Sequence, residues 1–134
     1  MANILIVDDD PAIIELMTVM LGDAGHSISK CLSGLAALKQ LGLNPENPKA
    51  EAPDLIILDI MMPGADGYTI ATMIRGCERT RNIPILVASS VAELSPLFKT
   101  TVRIEGFMGK PFTEEELLGK VKEILSYSKP ADKN

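Results

Sequence analysis

The stretch ILIVDDDP, Ile4 to Pro11, runs four apolar side chains straight into three aspartates and a proline. Apolar residues without polar alternation suit a strand buried on both faces, as in a parallel sheet. Pro11 reads as the first residue of a helix capped by Asp10, a position where proline's missing N–H is no loss. Ile13, Ile14, Leu16, Met17, Met20 and Leu21 follow at helical spacing. One cap needs one carboxylate, so Asp8 and Asp9 are left at the end of a buried strand. Two carboxylates close together there repel by about 4 kcal/mol at an effective dielectric of 20. The pair calls for a positive partner.

Outward from this stretch the alternation repeats. SISKCL (27–32) reads as a weaker strand, GLAALKQLGL (34–43) as a short helix, DLIILD (54–59) as a central strand and GYTIATMIRGCE (67–78) as a helix. PILVASS (84–90) is a strand, Ser95 and Pro96 open a short helix to about Val102, and GFMG (106–109) is a short strand. Thr113 and Glu116 form a capping box ahead of Leu117, Leu118, Val121, Ile124 and Leu125. Successive βα units joined by right-handed crossovers predict a doubly wound α/β fold. Its five-stranded parallel sheet takes the flavodoxin-like order 2-1-3-4-5, with helices on both faces. One domain over residues 1–127 is expected, with 128–134 as a polar tail or linker.

Composition narrows the function. With 134 residues, 46% of them hydrophobic, the chain can bury one core. A net charge of -5 argues against nucleic acid or an anionic membrane as direct partner. Cys31 and Cys77 lie far apart without metal-ligand spacing and read as reduced core residues of a cytoplasmic protein. No apolar run approaches the roughly 18 residues of a membrane span. His26, beside the turn at Gly25, reads as surface decoration, and the methionines as packing residues.

Doubly wound folds take ligands at the carboxyl ends of their strands. There the chain places Asp8, Asp9 and Asp10, then Asp59, then Ser89 and Ser90, and finally Lys110. Magnesium suits a site of few carboxylates, several waters and a phosphate oxygen. The set fits an aspartyl phosphate. Asp59 would be the nucleophile, the metal and Lys110 would neutralise the phosphoryl oxygens, and the Ser89 hydroxyl would donate to one of them.

ILIVDDDP, PDLIILDIMMPGADGY, PILVASS and GFMGKPF, in this order, resemble the landmarks of the receiver domain of bacterial two-component response regulators, a CheY-like superfamily. The resemblance spans roughly residues 3–126. It implies Asp9 as a direct Mg2+ ligand, Asp8 as a ligand through water, and the Met61 backbone carbonyl as a further ligand. Asp59 becomes the phosphoacceptor, Ser89 the hydroxyl switch, Phe107 the aromatic switch, and Lys110 the phosphate contact before a cis Pro111. Pro63, Gly64 and Gly67 shape the loop after the acceptor. The implied partners are a sensor histidine kinase or histidine phosphotransfer protein as donor, and a downstream protein or an output domain beyond the chain. The implied homodimer surface is the Ser95–Val102 helix, the fifth strand and the last helix. The implied role is signalling in a two-component phosphorelay, without catalysis on an outside substrate.

Other readings stay open beside this one. A non-phosphorylated scaffold would keep the fold, and a magnesium-dependent aspartyl-phosphate phosphohydrolase would use the same residue types. The hydrolase needs an aspartate where Met61 stands. The connection through Asn44–Ala52 is longer than the family pattern and reads as a mobile surface loop. Arg103 and Ile104 stand where small residues are common. Met61 and Val91 are apolar and would shield a phosphoryl group from water. A phosphorylated half-life of minutes or longer is therefore expected, followed as loss of the intact-mass adduct in magnesium buffer; decay within seconds would refute the shielding.

Overall fold

Alternate side chains of a strand leave the sheet on opposite faces, and here both sets are apolar. In the computed structural model, which describes residues 2–60, 62, 66–89 and 102–128, Ile4, Ile6, Leu55 and Ile57 enter one core while Leu5, Val7, Ile56 and Leu58 enter the other. The strands are β1 (Asn3–Val7), β2 (Ser27–Cys31), β3 (Leu55–Leu58), β4 (Ile85–Ser89) and β5 (Gly106–Gly109). They are parallel throughout and ordered β2-β1-β3-β4-β5. The predicted fold class and strand order are thus the observed ones.

The helices are α1 (Pro11–Asp23), α2 (Gly34–Gln40), α3 (Gly67–Gly76) and α4 (Glu114–Ser128). Ile14, Met17 and Leu21 of α1 share one core with Leu117, Val121 and Ile124 of α4. Ala37 and Leu38 of α2 share the other with Ile70, Ala71 and Ile74 of α3. Helices therefore cover both faces. The short helix expected over Ser95 to Val102 lies, apart from Val102, outside the described residues.

Caps decide where the helices begin. The Asp10 carboxylate accepts from the Ala12 N–H at 3.0 Å, Ser33 Oγ from Ala36 at 3.1 Å and Thr113 Oγ1 from Glu116 at 3.0 Å. α2 stops earlier than expected, at Gln40, because Gly42 turns left-handed with φ of 73° and the Leu43 N–H reaches back to the Leu38 carbonyl. That is a glycine C-terminal cap. α3 ends under Thr80, whose buried hydroxyl donates to the Ile74 carbonyl at 2.7 Å.

Two expectations are corrected. The segment Asn44–Ala52 is tied down: Arg79 donates to the Gly42 and Ala50 carbonyls, and Asn47 N–H donates to Gly42. Guanidinium contacts to backbone supply the anchors that its few apolar residues lack. His26 is a partly buried acceptor, its Nδ1 taking the Ala2 N–H at 3.2 Å at the outset of β1. Burial lowers its pKa from the ordinary 6.5. A lowered folded pKa means stability is intact above 6.5 and is lost as pH falls through the folded value. Urea titrations at a series of pH values should show this slope in the wild type, and His26→Gln should flatten it.

A charged staple closes the opposite end of β4 and β5. The Arg75 guanidinium, at the end of α3, donates to the carbonyls of Arg81, Ile83 and Arg103 and to Glu105 Oε1 at 2.9 Å. Glu105 also accepts from the Ile85 N–H at 2.7 Å and from Arg103 at 3.1 Å. The departure at Arg103 and Ile104 is thereby explained: Arg103 pairs with Glu105, and Ile104 packs on the α2–α3 core.

Candidate functional site

Strand register brings the acidic residues together. Val7 lies beside both Cys31 and Leu58, so the next residues, Asp8 and Asp59, emerge side by side. Their backbones are fixed by Asp8 N–H to the Cys31 carbonyl at 3.1 Å and Asp59 N–H to the Val7 carbonyl at 3.0 Å. Asp8 is 1% exposed and Asp59 5%, while Asp9 stands in solvent. One carboxylate oxygen from each of Asp8, Asp9 and Asp59 lies within 4.8 Å of the others.

The positive partner comes from the far edge of the sheet. Lys110 follows β5, its N–H donating to the Ser89 carbonyl at 2.9 Å, and its ammonium lies 2.6 Å from Asp8 Oδ2 and 3.8 Å from Asp59 Oδ1. Asp8 Oδ1 accepts the Asp10 N–H at 2.9 Å, so both oxygens of that buried carboxylate are engaged. Ser89 ends β4 fully buried. Phe107, beside Val87 on β5, is partly buried against the α2–α3 core. The Lys110–Pro111 peptide bond is cis.

Asp8, Asp9, Asp59 and Lys110 thus converge as the sequence predicts, while Met61, Pro63, Gly64, Ser90 and Val91 lie outside the described residues. Two features were not read from the sequence. Lys110 sits closer to Asp8 than to Asp59, a choice between two carboxylates that only the fold reveals. Asp66 caps α3, accepting the Thr69 N–H at 2.8 Å; an aspartate followed by glycine before a helical period is the signal that marks it.

Gly67 closes the loop behind Asp59. Its N–H donates to the Ile60 carbonyl at 2.9 Å. A Cβ there would stand 2.5 Å from the Asp59 carbonyl oxygen, so only glycine lets α3 start so close to the acidic strand end.

Chemically, three carboxylates offer a hard oxygen donor set suited to a divalent cation such as Mg2+ or Ca2+, and an ammonium beside them offers a fixed charge to an anionic oxygen. Clustered acids at the carboxyl edge of a 2-1-3-4-5 sheet, with a lysine reaching in from the last strand, define a signalling receiver. Residues 4–122 match the family model of the response regulator receiver domain, and the chain belongs to that family.

Among its relatives is the DNA-binding dual master transcriptional regulator RpaA of Synechocystis, 34% identical over 132 residues, covering 93% of this chain and 49% of RpaA. The response regulator MprA of Mycobacterium tuberculosis is 32% identical over 131 residues, covering 97% of this chain and 53% of MprA. The chain spans about half the length of these regulators. A putative response regulator from Chloroflexus aurantiacus superposes with a TM-score of 0.80 at 32% identity, covering 93% of this chain and 98% of the other. TrrA of Thermotoga maritima, solved in complex with Mg2+-BeF, gives 0.76 at 33%, covering 93% and 100%. Among the described residues no helix is long and apolar enough to cross a membrane.

Proposed function

We propose that the chain takes a phosphoryl group onto Asp59 from a phosphohistidine and thereby switches a protein-interaction surface. The observation that carries this reading is the convergence of Asp8, Asp9 and Asp59 within 4.8 Å beside the Lys110 ammonium. Asp8, Asp9 and Asp59, with the Met61 carbonyl, would hold Mg2+. When bound, the metal would neutralise charge developing on the transferring phosphoryl oxygens.

The protein's residues do the rest. An Asp59 carboxylate oxygen attacks phosphorus in line; the O–P bond forms as the donor's N–P bond breaks, and the electron pair returns to the imidazole nitrogen. Lys110 loosens from Asp8 to face the new dianion, and the Ser89 hydroxyl donates to one of its oxygens. Phe107 fills the space Ser89 leaves, a shift between two packings of β4 and β5. The chain is read as a cytoplasmic signalling domain that runs through the end of α4 at Ser128, one residue beyond the expected boundary at 127, and that catalyses only its own phosphorylation and dephosphorylation. Its partners are a histidine kinase or phosphotransfer protein and a downstream protein or output domain, with homodimerisation through the Ser95–Val102 segment, β5 and α4.

Incubation with acetyl phosphate and magnesium should add one phosphoryl mass to the wild type and none to Asp59→Ala, measured by intact mass spectrometry. No adduct on a folded wild type that binds magnesium would sink the phosphoacceptor reading and leave the scaffold.

A further inference from the structure

We infer that the cleft between the entry to β5 and the second half of α4, at the end of the sheet opposite Asp59, binds a nucleoside monophosphate. The chain has four arginines, Arg75, Arg79, Arg81 and Arg103, against a net charge of -5. All of them stand at the end of α3, in the α3–β4 connection or just before β5. Arg75 and Arg79 are engaged with backbone carbonyls. Arg81 is exposed, and the Arg103 side chain is 56% exposed. Arginine, the side chain best matched to a phosphate, is thus confined to this end of the molecule, and two of the four reach solvent there.

Helical spacing builds one wall. Lys120, Glu123, Ile124 and Tyr127 follow at i, i+3, i+4 and i+7, so one face of α4 presents them in a row. Asn82, before β4, and Arg103, before β5, join them around a cleft of about 510 Å³, the size of a small-molecule site. The row from Lys120 to Tyr127 runs about 10 Å along the helix axis, long enough for a nucleoside.

The lining selects the ligand. The Arg103 guanidinium is held by Glu105 through Nε and by the Arg81 carbonyl through Nη2, which leaves Nη1 for an anionic oxygen. Lys120 makes no ion pair among the described residues. Glu123, in the same row, repels a ligand that is anionic along its whole length, but it accepts hydrogen bonds from ribose hydroxyls or a base edge. Tyr127 is 83% exposed, so packing does not account for its ring, and a base stacked on it would cover it. An anion at one end and a flat, neutral, hydrogen-bonding ring at the other satisfy each of these groups. A nucleoside monophosphate carries both.

The test titrates AMP, GMP, CMP and UMP in turn into the isotope-labelled full chain in magnesium-free buffer and follows the backbone amide shifts by NMR. At least one nucleotide should bind saturably with a Kd of about 1 mM or tighter. It should move the amides of Asn82, Gly106, Lys120, Glu123 and Tyr127 and leave those of Asp8, Asp9 and Asp59 in place. Tyr127→Ala should weaken binding about tenfold, the scale of one lost base stack, whereas Tyr127→Phe should keep it. Lys120→Gln should weaken it several-fold. Absence of saturable binding by all four nucleotides overturns the site, as does wild-type affinity in both Tyr127→Ala and Lys120→Gln. Inorganic phosphate binding as tightly as the nucleotide leaves a plain anion patch and overturns it too. Shifts centred on Asp8 and Asp59 move the binding to the acidic edge, and shifts that follow protein concentration instead of nucleotide assign the cleft to a second copy; either result overturns the site. None of these readouts requires phosphorylation of Asp59, so the phosphoacceptor reading stands or falls separately.

Discussion

Gly67→Ala is expected to slow phosphorylation of Asp59 by acetyl phosphate roughly a hundredfold, the scale on which a displacement of about 1 Å acts in a positioned reaction. The new methyl would meet the Asp59 carbonyl oxygen at 2.5 Å and the Ile60 Cα at 2.7 Å. Both obstacles are backbone, so neither can swing aside as a side-chain tip would. Either the acidic strand end or the first turn of α3 moves. The overpacking should also lower stability by about 1–3 kcal/mol. Initial rates of adduct formation, taken at a temperature where melting shows the variant folded, separate the two effects; a wild-type rate would mean that the loop absorbs the methyl elsewhere.

Arg75→Ala should lower the unfolding free energy by roughly 3 kcal/mol. Its guanidinium side chain is only 13% exposed and serves three carbonyls and one carboxylate. Removal leaves the Ile83 carbonyl without this donor and Glu105 with Arg103 and the Ile85 N–H. Burial pushes the Arg75 pKa down while Glu105 opposes that shift, which fits a cation held in place by its partners. Arg75→Lys keeps the charge but cannot span the fork, so it should recover less than half of the loss. Urea midpoints for the three proteins decide the matter; equal midpoints would reduce the staple to decoration.

Much of the fold was legible because its signals are local. Ile4 to Val7 and Leu55 to Leu58 show no alternation, and they are the strands that feed both cores. Asp10 and Thr113 cap their helices as their positions before proline and before a Glu at the third place suggest. Asp8, Asp59 and Lys110 could be placed at one edge because each directly follows a strand. What stayed hidden depends on register between distant segments. The Lys110–Asp8 contact joins residues 102 apart, and Arg75 meets Glu105 across 30. The Asn44–Ala52 segment reads as loose in the sequence because its restraint is Arg79, on another loop. Gly42 carried a readable stop signal that was overrun by the apolar pair around it.

The two-sided sheet has one more consequence. β1 and β3 act as a partition one peptide thick, and neighbouring residues such as Ile56 and Ile57 belong to different compartments. Substitutions confined to the α1–α4 compartment leave the α2–α3 compartment's packing partners untouched, so the two can drift separately over a lineage. The carboxylates in the plane of the partition belong to neither. A shared acidic edge can thus outlast wholesale turnover of the layers on either side, each free to be reshaped for a different contact.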